Sequence, residues 1–187
     1  MGQYAETLTS VDQAIAGDAT YLAAWHTKAL TLLGLQRFPE ALEAADRVLA
    51  LGARNAADWV TKGVIFVFLH HYQEAITTFD QAIAFEPTSD LAWNSKAIAF
   101  MFTHQYEDAL AACEQSLTLA PDNAHTWSIQ ANALEQLGRS DEAKVAREQA
   151  CTIDPHMESP SPQNAQLDFA WKMTHMMLFL LRSTAHD

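Results

Sequence analysis

The residues of this sequence that could bind a metal or act as nucleophiles are few: His70 and His71, His104, Cys113 and Cys151. A zinc site needs four N or S ligands, with paired ligands set a few residues apart. His70 and His71 are adjacent, and no Cys or carboxylate joins them at ligand spacing. The histidines read either as polar turn residues or, if turns stack, as a pair formed by His71 and His104. The two cysteines form no CxxC and read as buried, reduced thiols. There is no nucleophile–base pattern, no glycine-rich phosphate loop and no His-Glu metal helix. Adjacent carboxylates such as Glu107 and Asp108 fall on a face that helical spacing leaves in water. The sequence therefore predicts no enzyme, no cofactor and no resident metal.

What remains is recognition. Eleven Lys and Arg against 23 Asp and Glu give a net charge of −12, which argues against nucleic acid as a partner. With 49% hydrophobic and 18% charged residues, the chain can bury a continuous core and is not expected to be disordered. That core is periodic. Trp25, Trp59, Trp93 and Trp127 each lie 34 residues after the last. Ala41, Ala75, Ala109 and Ala143 follow them at sixteen residues. Phe38, Tyr72 and Tyr106 follow at thirteen, and Pro87, Pro121 and Pro155 at twenty-eight behind the last three tryptophans. A fixed period of this size marks stacked repeats.

The pattern resembles the tetratricopeptide repeat (TPR) family, built from helix–turn–helix units of 34 residues. With Trp at position 4, the second repeat matches through Trp59, Gly63 (position 8), Phe66 (11), Tyr72 (17), Ala75 (20), Phe79 (24), Ala82 (27) and Pro87 (32). Two departures stand out. Position 7 holds Lys28, Lys62, Lys96 and Gln130, and position 24 changes from Phe79 to Ala45, Cys113 and Arg147. The resemblance implies an all-α, right-handed superhelical solenoid of helix–turn–helix repeats, to which the residues beyond it add an extra C-terminal helix. Packing logic agrees. Small residues at positions 8, 20 and 27 let two helix backbones approach, and large ones at 4, 11, 17 and 24 fill between them. Neither helix buries its apolar stripe alone, so neighbours must stack.

Along the chain, 1–20 is expected to be a partial repeat, a second helix over about 4–16 whose missing first helix reads as the mark of a cut array rather than of a cap. Four repeats occupy 21–155. Their first helices are predicted over 21–33, 56–69, 91–103 and 125–137, with Asn55, Ser89 and Asn123 as N-caps. Second helices are predicted over 39–51, 72–85, 106–119 and 140–153, Pro39 taking the first helical position. Residues 156–163, with two Pro and two Ser, read as a linker. The C-terminal segment 164–187 reads as a final helix.

In the resembling family the first helices line a concave groove through positions 2, 5, 6, 9, 12 and 13. The mapping nominates His26 and Leu30 in the first repeat, Val60, Val64, Val67 and Phe68 in the second, Asn94, Ile98, Met101 and Phe102 in the third, and Ser128 and Asn132 in the fourth. The expectation is an apolar groove receiving an amphipathic helix or extended peptide, some of these residues packing instead between helices. No Lys or Arg occupies positions 5, 6 or 9, so a clamp for a C-terminal carboxylate is not expected. Lys28, Lys62 and Lys96 are expected to lay their methylenes on a neighbouring helix with the ammonium in water. The acidic residues fall mostly on second helices and read as a solvated convex face.

The C-terminal segment offers a second function. At 100° per residue Phe169, Met173, Met176, Met177 and Leu180 share one face, while Trp171 and Leu178 point nearly the opposite way. The apolar run is too short, and too interrupted by Lys172 and His175, for a membrane span. The alternative is thus a self-assembling structural protein that forms homo-oligomers through its groove and C-terminal helix. The larger face would stack on the last repeat's second helix with Trp171 and Leu178 meeting a second chain in a homodimer, or the helix would swap into another copy's groove. The cysteine usage and the lack of an apolar leader point to a cytoplasmic protein.

Overall fold

The computed structural model describes residues 2–52 and 55–155. The linker and C-terminal helix expected over 156–187, with Trp171 and Leu178, lie outside the described residues. Among the described residues there are nine helices and no strand. They are α1 (Gly2–Gly17), α2 (Leu22–Gly34), α3 (Phe38–Ala50), α4 (Ala56–Phe68), α5 (Tyr72–Phe85), α6 (Asp90–Phe102), α7 (Tyr106–Leu119), α8 (Ala124–Gln136) and α9 (Ser140–Ile153). The helices pair as α2/α3, α4/α5, α6/α7 and α8/α9. Each pair touches the next, so the fold is an all-α solenoid of repeats.

The caps explain the helix bounds. Asn55, Ser89 and Asn123 accept hydrogen bonds from the backbone N–H of Asp58 (3.2 Å), Ala92 (3.4 Å) and Thr126 (3.2 Å). Each thereby satisfies an amide that the first turn leaves unpaired. Because Ser89 caps, α6 starts at Asp90, one residue before the sequence-based estimate. Pro39 stands at the second residue of α3 rather than the first, since Phe38 is already helical. Its missing N–H still costs nothing there.

The turn inside each pair is identical in kind. Gln36, His70, His104 and Gly138 sit at the same repeat position with φ of 59°, 62°, 58° and 74°. This left-handed region suits glycine and disfavours side chains with a Cβ. At His70 and His104 the ring compensates. Each Nδ1 pairs with the hydroxyl of the tyrosine two residues on, Tyr72 at 2.7 Å and Tyr106 at 2.6 Å. One residue later, Arg37, His71, Gln105 and Arg139 reach carboxylates on the first turn of the second helix. Arg37 Nε meets Glu40 at 2.7 Å, and Arg139 Nε meets Glu142 at 2.7 Å. That hydrogen bond holds each glutamate below its usual pKa.

The core runs continuously through the stack. Ala41, Ala75, Ala109 and Ala143 are fully buried, as are Phe79 and Cys113. The tightest approach is at Gly63, where an added Cβ would lie 2.4 Å from Cε1 of Phe79. Glycine is obligatory there because the partner position carries the largest residue of its set.

Two substitutions test this packing. Gly63→Ala forces Phe79 to move, and Ala75→Leu overfills the same interface. Each is expected to lower stability by about 1–3 kcal/mol, read as a lower urea midpoint or melting temperature. Gly17→Ala, whose Cβ would meet nothing within 4 Å, is the control and should not lower either.

Candidate functional site

First helices touch one another directly, α2 with α4, α4 with α6 and α6 with α8, while second helices contact mainly first helices. The first helices therefore lie on the inside of the curve, and their inward positions form the candidate surface.

The structure divides the twelve nominated residues into two groups. Val60, Val64, Val67, Asn94, Ile98 and Met101 are buried, none more than 7% exposed. They fill space between adjacent first and second helices. His26, Leu30, Phe68, Phe102, Ser128 and Asn132 are half-buried. The accessible surface is therefore mixed: aromatic in the middle, with Leu30 and polar groups toward the ends.

Phe68 and Phe102 are held by the repeats before them. Phe68 stacks on Phe38 with ring centroids 4.9 Å apart, and Phe102 on Tyr72 at 5.2 Å. The same site one junction earlier pairs Tyr4 with Gly34, where a Cβ would come within 3.2 Å of the tyrosine ring. One aromatic rung thus crosses each of these junctions.

Three further ties hold the array, and the first two each recur in three of the four repeats. The indole N–H of Trp25 donates to the carbonyl of Ala19 (2.9 Å), Trp93 to Pro87 (3.1 Å) and Trp127 to Pro121 (2.8 Å). Each tryptophan thereby closes the loop leading into its own repeat. The second tie corrects the expectation for the lysines. Their ammonium groups are not left to water. Lys28 pairs with Asp12 at 2.6 Å, Lys62 with Asp46 at 2.7 Å and Lys96 with Asp80 at 2.6 Å. Each aspartate belongs to the preceding second helix, so Asp46 and Asp80 are ties between repeats rather than parts of a merely solvated face. The lysines also lie over aromatic rings, Lys62 over Phe66 and Lys96 over Trp93 and Phe100.

The third tie is polar and buried. It links position 5 of one repeat to position 3 of the next. Between the third and fourth repeats Asn94 donates to Thr126 Oγ1 (2.7 Å). Ser116 lies 3.1 Å from Thr126 and bonds the carbonyl of Asp90 at 3.2 Å. Each hydroxyl has one proton, so the chain of donors runs Asn94, Thr126, Ser116, Asp90 carbonyl. Between the first and second repeats the same positions hold His26 and Asp58, 3.9 Å apart, with Asp58 buried. Between the second and third they hold Val60 and Ala92.

The residues with reactive potential are accounted for by local structure. Cys113 is buried, and desolvation pushes its thiol pKa far up, so it carries no thiolate character. Cys151 is exposed and not bridged to Cys113. His71 lies 3.5 Å from Glu74 and stacks on Phe66. Among the described residues no three of His, Cys, Asp and Glu gather as a metal-binding group. No described helix is long and apolar enough to cross a membrane.

These ties were absent from the sequence reading although their signal was present. Asp12, Asp46 and Asp80 keep the 34-residue spacing wherever a lysine lies sixteen residues on, and give way to Glu114 before Gln130. Thr126 and Ser116 carry no such signal, because the other repeats have different residues there.

The family model for the tetratricopeptide repeat matches residues 26–89, 60–124 and 94–155. The chain belongs to the tetratricopeptide repeat family. Proteins of this family are in general scaffolds for protein–protein interaction. No curated protein sequence matches the chain. Solved structures of similar fold include PilW, described as a widely conserved type IV pilus biogenesis factor. It is 22% identical, covering 84% of this chain and 73% of that one, with a TM-score of 0.77. MamA from Desulfovibrio magneticus RS-1 is 16% identical over 84% of this chain and 89% of that one, at 0.74. YrrB, described as a TPR protein with an unusual peptide-binding site, is 15% identical over 83% and 80%, at 0.67. At these identities the likeness is one of fold.

The buried polar tie makes a two-step prediction. Thr126→Val leaves the Asn94 amide without its acceptor and should cost about 1–3 kcal/mol. Replacing the set together by what the preceding junction uses, Asn94→Val, Ser116→Ala and Thr126→Ala, removes every unsatisfied group. Urea denaturation should place the triple variant above Thr126→Val.

Proposed function

We propose that this chain is a non-catalytic scaffold that receives an amphipathic helix or extended peptide along the inner face of its first helices. The observation that carries the reading is the accessible row His26, Leu30, Phe68, Phe102, Ser128 and Asn132, one or two residues per repeat on one side of the stack. Accessible residues on one side of every repeat suit a ligand that runs along the stack. The aromatic centre supplies apolar area, and the amide, hydroxyl and imidazole groups toward the ends supply directional bonds. With no Lys or Arg in this row, recognition rests on side-chain fit rather than on pairing with a terminal carboxylate. The peptide-binding site described for YrrB is consistent with such a use of the fold.

The burial pattern selects the variants. Val64 is fully buried, so Val64→Glu would place a charge in the core and report on folding. Leu30→Glu and Asn132→Arg act at half-buried positions. In pull-down from the native source, quantified by mass spectrometry, the double variant is expected to lose its specific partner tenfold or more. Its helical circular dichroism should remain that of the parent. Undiminished capture by the double variant would move the site off this face.

A further inference from the structure

In a stack of antiparallel helix pairs, the turns inside each pair lie on one edge and the loops between pairs on the other. The two edges differ in charge. The turns 35–37, 69–71, 103–105 and 137–139 hold Arg37 and Arg139 and no carboxylate. The loops 18–21, 51–55, 86–89, 120–123 and 154–155 hold Asp18, Glu86, Asp122 and Asp154, and Arg54 is their only Lys or Arg.

The loop edge also carries an apolar row. Leu51, Phe85, Leu119 and Ile153 recur every 34 residues at the ends of α3, α5, α7 and α9. All four are exposed, Phe85 at 51%. Exposed apolar side chains scattered singly need no account, but these share one register and therefore one edge. The row belongs to second helices, so it is separate from the inner row of first-helix residues. Beside it, the helix ends lack a common complement. Arg47 stands in the last turn of α3 and lies over the Trp25 ring. The last turns of α5, α7 and α9 hold no basic side chain. A cation is favoured at such an end, where carbonyl groups point outward.

We propose that this edge, centred on Phe85 and Leu119, docks a cationic amphipathic helix of a partner protein. The partner's apolar face lies on the row. Its Lys or Arg side chains reach Glu86 and Asp122, both exposed, and the carbonyl ends of α5 and α7. Charge selects this occupant over the others. A second copy of the chain brings a net charge of −12 to an edge that already carries carboxylates. The chain's own residues 156–187 offer Lys172 and Arg182 against Glu158, Asp168 and Asp187, so they do not complement it either.

The test uses the full chain and a fluorescent synthetic peptide of leucine and lysine, about five helical turns long, with its leucines on one face. A second peptide of the same composition has its leucines scattered. Fluorescence anisotropy should show the parent binding the first peptide at least tenfold more tightly than the second. The variant Phe85→Gln with Leu119→Gln should lose tenfold or more, with the helical circular dichroism of the parent. Glu86→Gln with Asp122→Asn should bind more weakly and flatten the salt dependence between about 50 and 300 mM. The inner-face variant Leu30→Glu with Asn132→Arg should bind as the parent does. Equal binding of the two peptides overturns the proposal, as does undiminished binding by Phe85→Gln with Leu119→Gln. Loss in the inner-face variant alone places the peptide on the inner face, overturning the edge site while leaving the proposed function standing. Light scattering separates a second copy: self-association of the parent that Phe85→Gln with Leu119→Gln abolishes would make this chain its own occupant and overturn the cationic partner.

Discussion

The stack depends on how closely two helix backbones approach inside a repeat. At α4/α5 that approach leaves no room for a Cβ at Gly63, because Phe79 fills it. The other repeats place different residues at the same pair of positions: Ala29 and Ala45, Ala97 and Cys113, Ala131 and Arg147. Glycine is met only where the partner is phenylalanine, so the two volumes offset one another at that pair. The same register brings lysine and aspartate to 2.6–2.7 Å at three successive junctions.

Those ties differ in energetic standing. The Lys–Asp pairs have aspartates that are about half exposed, so each is worth little on its own and weakens with salt. Their lysines contribute as much through stems and ammonium groups laid over Trp and Phe rings. The aromatic rungs and the tryptophan N–H bonds are less sensitive to salt. The buried chain from Asn94 to the Asp90 carbonyl is different again. It adds little net stability over an apolar junction, but it penalises any other neighbour, because misregistered repeats would bury unpaired groups. The three complete junctions carry different sets: His26 with Asp58, Val60 with Ala92, and Asn94 with Thr126. In an array whose repeats are otherwise alike, such differences distinguish one junction from the next.

Much of the architecture was legible in the sequence because it is carried by residues whose role is local or repeated. The second helices α5, α7 and α9 begin and end where the pattern places them, and the three N-caps follow from side-chain chemistry one turn ahead. The candidate surface was less legible, for a geometric reason. A first helix has neighbours on several sides: its own second helix, the preceding second helix and the flanking first helices. Helical periodicity gives the direction of a side chain around its own axis, not where the neighbours lie. Val60, Val64 and Val67 point to the side shared with neighbours and disappear, whereas Phe68 shares much of their character and remains accessible. The lysines were misjudged for a related reason. Sorting charges by sign and face concealed a partner that lies sixteen residues earlier and recurs in the first three repeats.

Repetition also constrains where function can reside. Position 20 holds a fully buried alanine in every repeat and cannot tell one repeat from another, so any specificity must lie where repeats differ. On the inner face the differences are at positions 5, 9 and 13. There the sequence moves from His26 and Leu30, through Phe68 and Phe102, to Ser128 and Asn132. On the proposed reading, a ligand lying along that face would meet a different surface at its two ends, which would fix its direction. A uniformly apolar strip would bind an amphipathic helix in either direction with similar affinity, whereas here the reversed ligand would leave the polar groups of Ser128 and Asn132 unpaired.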